Sequence, residues 1–440
     1  MPERPSAARP RASVSGRVPQ RRCASTVGYP GVNRTKPASL DGRQEDVSIL
    51  GKHAEASQAA DHAVRIHALD SLRGVAAFSV MIYHCLLVWP SLYETLGGKG
   101  VPFFRTEQDP LAIGLLTVTP PSLLWSGREA VILFFVLSGY VLAQGFLRSP
   151  QPYLPFVTRR ACRLLLPCIA IALPVALLAE LLGPVSQPEV SEWVTGHWND
   201  TVSPRLIASH ALLLEEPYGL NSPLWSLHYE WRISLLFPLL VMLAAAGPGM
   251  AMAASLACAA LAVAEMRLVG SNWLSTLIFV PHFMLGVLLA REGTRLPAQI
   301  ADMAPRARLG LLTFCYLLLN VRWLVPAPGL VIDLFNAAGA ALLIALVLAS
   351  ARAQAGLAWP PLAWIGKVSF SLYLVHVPVI LAALHLAPTG LPLWTVLAAA
   401  VLLSLLLAWG FFHLAERPSI WLGRTLFGRL GVRRIGRAAA

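Results

Sequence analysis

A helix of about twenty apolar residues spans the hydrocarbon core of a bilayer, and this 440-residue chain repeats that unit along most of its length. The runs fall at 70–90, 128–147, 161–182, 228–246, 250–268, 273–291, 308–325, 330–350, 364–386 and 393–415. They predict an all-α, polytopic transmembrane helix bundle of about ten spans. Charged residues make up 13% of the chain and apolar residues 56%, against about 25% charged in a soluble domain. That balance excludes a disordered chain and a soluble globular one. A weaker run, Leu206 to Leu214, is too short to cross and is expected at the interface. Internal Pro174, Pro281 and Pro378 predict kinks, which neighbouring helices can tolerate in a bundle.

The distribution of charge predicts an orientation. The formal charge is +12, carried almost wholly by arginine. Both tails are basic, each with a net charge of +5 over 1–65 and 416–440. With the amino terminus inside, the cytoplasmic loops hold Arg148, Arg159, Arg160, Arg295, Arg306, Arg308 and Arg352. The outer loop 183–227 holds Glu189, Glu192, Asp200, Glu215 and Glu216 against a single Arg205. Ten spans put both termini in the cytoplasm, in agreement with the positive-inside rule. Arg128 and Arg322 sit at outer ends and break it. Basic tails beside membrane spans mark the cytoplasmic leaflet rather than nucleic acid.

Three regions follow: a basic tail over 1–65, too poor in apolar residues to order itself; a membrane domain over 66–418; and a basic cytoplasmic tail over 419–440. The first apolar stretch begins near Leu69, too far along for a signal peptide. Five of the six cysteines lie in or beside apolar runs, and none has zinc-ligand or CxxC spacing. Metals and disulfides are therefore not expected. Apart from the outer loop the connections are short, so any chemistry has to occur between helices.

Ionisable residues inside a bilayer cost several kcal/mol unless paired, so each is a functional candidate. Arg73 and His84 are eleven residues apart in the first span. That spacing puts them on one helix face, about 16 Å apart along the axis. A histidine half-way across can take a proton from a hydroxyl, or simply satisfy a neighbour's carbonyl. Arg160 and Arg163, at the start of the third span, share a face and could grip a phosphorylated ligand, or serve only as a positive-inside anchor. Glu230, at the outer mouth of the fourth span, could orient a histidine or bond a sugar hydroxyl, with Arg232 close by. Trp225 is a pocket wall or an interfacial belt residue. His376 is again near mid-membrane, while His282 and His413 read as structural.

Together these blocks resemble the acyltransferase 3 family of integral-membrane O-acyltransferases. Leu69-Asp70-Ser71-Leu72-Arg73-Gly74 with His84 is similar to that family's opening, and Phe134-Phe135-Val136-Leu137-Ser138-Gly139-Tyr140 to its second-span signature. The Arg160–Arg163 pair with Pro167, then Trp225-Ser226-Leu227 with Glu230 and Pro238, resemble later blocks. Ser371-Leu372-Tyr373-Leu374-Val375-His376 and the closing Glu416-Arg417-Pro418 complete the order over about residues 65 to 420. Ile132 departs from the pattern, since many members carry an acidic or polar residue shortly before the paired phenylalanines.

The resemblance implies transfer of an acyl group, most often acetyl, from cytoplasmic acyl-CoA to a hydroxyl of a glycan, glycolipid or glycosylated small molecule. His84 would be the catalytic histidine, and Glu230 would orient it or the acceptor. Arg73, Arg160 and Arg163 would contact the donor's phosphates or pantetheine arm. Ser138, Tyr373, His376 and Trp225 would line the substrate pocket. Acyl-CoA would be a donor substrate rather than a resident cofactor. Some relatives add an extracytoplasmic domain after the last span; with about 25 residues left here, the bundle would act alone or pass its acyl group to a separate partner. The arginine and alanine bias suggests a bacterial inner membrane. Two other readings compete: a transporter or flippase of a polar or lipid-linked substrate, and an assembly subunit of an envelope-polysaccharide complex.

Overall fold

The computed structural model describes residues 67–97, 117, 119–149, 151–185, 189–214, 218–388 and 390–426. The 1–65 tail and Glu215 and Glu216 of the acidic loop lie outside the described residues. Each of the ten apolar runs is a helix, and no strand occurs among the described residues. We number them α1 (67–86), α2 (Gly127–Arg148), α3 (Tyr153–Leu182), α4 (Leu224–Ala245), α5 (Pro248–Leu268), α6 (Ser275–Glu292), α7 (Pro305–Leu319), α8 (Gly329–Ala349), α9 (Pro360–Leu386) and α10 (Leu393–Phe411). Eight of them are long and apolar enough to cross a membrane. The other two are α1, which carries Asp70 and Arg73, and α7, whose 15 residues rise only about 22 Å. Beyond Phe411 the helix continues through a π-turn, Phe412–Glu416, to Leu426, well into the segment expected as tail.

Helix α9 is the spine of the bundle. Of its most apolar window 78% is buried, against 22% for α5 at the periphery. The outward faces are leucine stripes at fourfold spacing. Leu173, Leu177 and Leu181 on α3 and Leu402 and Leu406 on α10 are all exposed. Such a stripe is unfavourable in water and matched by lipid.

Two glycine pairs set the closest approaches. Gly74 of α1 meets Gly366 of α9, where a Cβ on Gly366 would lie 2.6 Å from the Asp70 carbonyl oxygen. Gly139 of α2 faces Gly286 of α6, each against the other helix's backbone. Small residues at such crossings let backbones pack where side chains would separate them.

Proline has a specific consequence in α9. Pro378 has no N–H, so the Leu374 carbonyl loses its partner four residues on. Asn221, just before α4, donates its Nδ2 to that carbonyl at 2.9 Å. The expected kink site is thus a docking point for α4. Pro174 also lies inside its helix, whereas Pro281 opens the α-helical part of α6 and interrupts nothing.

The long loop between α3 and α4 is built rather than slack. Its short helix Pro204–Leu212, the expected interfacial run, packs on α3 and is capped by Ser203, whose Oγ accepts from the Leu206 N–H at 3.2 Å. Ser191 holds the loop to the end of α1, its N–H donating to the Val88 carbonyl at 2.8 Å and its hydroxyl to the Leu87 carbonyl.

Gly366→Val should drive a side chain into the α1 backbone and cost about 1–3 kcal/mol. Gly310, with open space around its Cα, is the control, and Gly310→Ala should leave stability unchanged or slightly raised. Thermal unfolding in nanodiscs reads both; equal midpoints for the two variants would refute the packing account.

Candidate functional site

Helix α1 presents Arg73 and His84, yet the two open on different cavities. His84 lines a cavity of about 870 Å³ at the end of the bundle where α1 and α7 finish and α2, α4 and α8 begin. Arg73 lines one of about 100 Å³ with Arg160, Arg163, Ser138 and Glu230, towards the end where α1, α3 and α9 begin. This grouping of helix starts and finishes is the alternation expected of successive crossings.

His84 is oriented by a relay. The Nδ1 of His376 lies 2.9 Å from the Leu372 carbonyl oxygen, which can only accept, so this nitrogen carries a proton. In the neutral ring Nε2 then holds a lone pair, and it lies 2.9 Å from His84 Nδ1. His84 therefore donates from Nδ1 and keeps the lone pair of Nε2 free, a tautomer set by the hydrogen-bond network. The other face of the ring stacks on Trp193, with centroids 5.2 Å apart and planes at 21°. Trp193 is carried there by the α3–α4 loop, which Ser191 ties to α1. Beneath it His197 packs edge-on at 4.9 Å and donates from Nδ1 to the Trp193 carbonyl. In this loop, burial holds the pKa of His197 below the ordinary imidazole range, which keeps the ring neutral.

The small cavity is organised by charge. Glu230 Oε1 accepts from Arg160 Nη2 at 2.7 Å and from the Ser138 hydroxyl at 2.8 Å. Arg160 Nε donates to Ser234 Oγ at 3.1 Å, and that hydroxyl donates to the Glu230 carbonyl at 2.7 Å. Glu230 was expected at the outer mouth and Arg160 in a cytoplasmic loop. Instead α3 begins at Tyr153 and α4 at Leu224, so each residue lies about two turns inside its helix, and they meet in the interior. Arg163 and Arg73 line the cavity beside the pair, Arg73 with only a 3.5 Å contact to Asp70.

The expected pocket residues divide accordingly. Trp225 lines the large cavity, Ser138 the small one, and Tyr373 both. Tyr373 is therefore the wall between them, its hydroxyl 2.6 Å from Ser226 Oγ. His376 is fully buried behind His84 and lines neither cavity, in contrast to the pocket place expected for it. Glu230 does not touch His84. Its partners place it in the other cavity, and the expectation that it orients this histidine is corrected.

Two site residues carry little signal in the sequence. Trp193 sits in a polar loop with no pattern to mark it. Glu416, legible only as part of a closing motif, is buried and accepts from the Ser371 hydroxyl at 2.6 Å, within electrostatic reach of Arg163 and Arg73. An acidic residue at the end of a long apolar run was the available signal.

The model of the acyltransferase 3 family, described as an acyltransferase domain, matches residues 66–413. The chain is also similar to the Bacillus subtilis (strain 168) protein YrhL, named provisionally as a peptidoglycan O-acetyltransferase, with 25% identity over 406 residues. That match takes in 83% of this chain and 56% of YrhL, so the chain spans little over half of that relative's length. No solved structure matches.

Arg160→Met should leave Glu230 as a buried unpaired charge, at a cost of about 3–5 kcal/mol. Adding Glu230→Gln should recover a large part of the loss, because the second change removes that charge. Unfolding midpoints of the two single variants and the double one test this; strictly additive losses would refute the coupling.

Proposed function

The chain belongs to the acyltransferase 3 family, and on that premise we propose that it is a multi-pass membrane O-acyltransferase moving an acyl group, most often acetyl, from acyl-CoA to a carbohydrate hydroxyl. The observation that carries the reading is the His376–His84 relay, which leaves a lone pair on His84 Nε2 beside a cavity large enough for a sugar. In this mechanism His84 Nε2 takes the proton of the acceptor hydroxyl as its oxygen attacks the thioester carbonyl. The carbon–sulfur bond breaks, and the imidazolium returns the proton to the departing thiolate. The stacked Trp193 and the His376 contact hold the ring in place for both transfers.

The arginines of the small cavity fit the donor end. Arg160 is neutralised by Glu230, whereas Arg73 and Arg163 keep N–H groups available to phosphate oxygens. Helix rise separates Arg73 and His84 by about 16 Å, a distance an extended pantetheine arm can bridge. With both termini cytoplasmic, the small cavity faces the compartment that holds acyl-CoA, and a bacterial inner membrane supplies that arrangement.

Purified protein in nanodiscs with radiolabelled acetyl-CoA and candidate glycan acceptors tests the proposal. His84→Ala should lower turnover by about 10²-fold or more, with unfolding behaviour intact. His376→Ala should reduce kcat and shift its pH profile with little change in KM for the donor, and His376→Gln, whose amide can accept from His84, should restore part of the rate. Turnover that survives His84→Ala sinks the mechanism. Failure of well-folded native protein to use acetyl-CoA or longer acyl-CoAs with any acceptor sinks the activity.

A further inference from the structure

Arg128 and Arg322 break the positive-inside pattern, and the structure gives them a common place. Both line the large cavity that holds His84. Arg128 opens α2 and is clamped by Asp333 of α8, its Nε donating to Oδ1 at 2.7 Å and its Nη2 to Oδ2 at 2.5 Å. The clamp fixes the guanidinium through Nε and Nη2, leaving Nη1 without a partner among the described residues, and the side chain remains 39% exposed while Asp333 is buried. Arg322, just beyond α7, lies over the Trp323 ring at 5.1 Å and donates from Nη2 to the Leu96 carbonyl at 3.3 Å. It has no carboxylate within ion-pair distance among the described residues.

Both arginines lie within electrostatic reach of Tyr83, the residue before His84. The Tyr83 hydroxyl donates to the same Leu96 carbonyl at 3.2 Å, and Gly127 packs its Cα against the Tyr83 ring. No Asp or Glu appears among the described residues of the cavity wall. Glu129 lies behind that wall, 6% exposed, within electrostatic reach of Arg322 and Arg128. The rest of the wall is rich in aromatic rings, with Tyr83, Tyr93, Trp193, Trp225 and Tyr373 contributing.

We propose that the acceptor cavity recognises a saccharide carrying an anionic group, a carboxylate or a phosphate, through Arg128 and Arg322, with its hydroxyl presented to His84. Two guanidinium groups with spare N–H donors match such oxygens in a way that neutral sugars do not. The aromatic walls suit the apolar faces of sugar rings, and the clamp by Asp333 fixes Arg128 before any ligand arrives. The inference deepens the acyltransferase reading, and its use of His84 rests on it.

The test is ligand-observed binding to full-length protein in nanodiscs of zwitterionic phosphatidylcholine, which contributes no net anion. The probes are methyl glucuronoside, methyl glucoside, glucose 6-phosphate and inorganic phosphate. Native protein should prefer an anionic sugar over methyl glucoside by about tenfold or more, and Arg322→Gln should remove most of that preference without altering the unfolding midpoint. Arg128→Gln leaves Asp333 unpaired, so it is paired with Asp333→Asn to preserve the fold, and the double variant should lose preference likewise. Preference for glucuronoside assigns a carboxylate and preference for glucose 6-phosphate a phosphate; either supports the proposal. Equal binding of methyl glucoside, an Arg322→Gln protein that retains the preference, or inorganic phosphate binding as tightly as the sugar phosphate overturns it. Arginine-dependent binding without acetyl transfer would keep this inference and lose the enzyme reading; acetyl transfer blind to acceptor charge would do the reverse.

Discussion

A carboxylate and a guanidinium 2.7 Å apart inside a membrane bundle constrain everything around them. Either Glu230 or Arg160 would be costly there as a lone charge, because desolvation of a lone ion outweighs most single contacts. Their pairing needs further partners, and Ser138 from α2 and Ser234 from α4 supply them. Three helices are thereby fixed in register by one polar knot. With Arg160 neutralised in place, Arg163 and Arg73, the latter 3.5 Å from Asp70, line the small cavity beside the pair.

Helix α9 carries that logic through the rest of the bundle. Ser371 donates to Glu416 beyond α10, Tyr373 meets Ser226 of α4, the Leu374 carbonyl takes Asn221, and His376 takes His84 of α1. Successive residues of a helix point about 100° apart, so such a run can reach different neighbours only if the helix is enclosed on all sides. The deep burial of α9 is therefore a condition of the site as well as of stability. The motif reads as one block in sequence because one stretch of helix serves several partners.

That distinction explains what the sequence could and could not tell. Apolar runs are a one-dimensional signal, and all ten appear as helices. The shared face of Arg73 and His84 follows from helical period alone. Depth is different, because it depends on where a helix begins. Charge patterning placed Arg160 in a loop and Glu230 at a mouth, but α3 starts earlier than its apolar run, as a charge with a buried partner no longer limits a span. Trp193 was illegible for another reason. Its contact with His84 depends on how a polar loop is tied to α1 by Ser191, and nothing periodic records that. His84 and His376 stand 292 positions apart. The apolar runs suggest a mid-span place for each, but only the packing of α1 against α9 brings the two rings together.

The wall between the cavities brings these threads together. A large pocket and a small one lie towards opposite ends of a membrane bundle, and a continuous water-filled path between them would leak ions. Tyr373 lines both pockets, and its hydroxyl pairs with that of Ser226 at 2.6 Å. The pair satisfies both polar groups without a charge, and such a bond contributes only about 1 kcal/mol net. A bond of that size can hold an aromatic ring in place in the unliganded protein, yet it is small beside the several charge-assisted contacts that the arginines of either cavity can offer a ligand. The polar residues of this bundle thus divide by strength. Charge pairs fix the helices, histidines fix one another, and a neutral hydroxyl pair lies on the boundary where, under the proposed reaction, donor and acceptor have to meet.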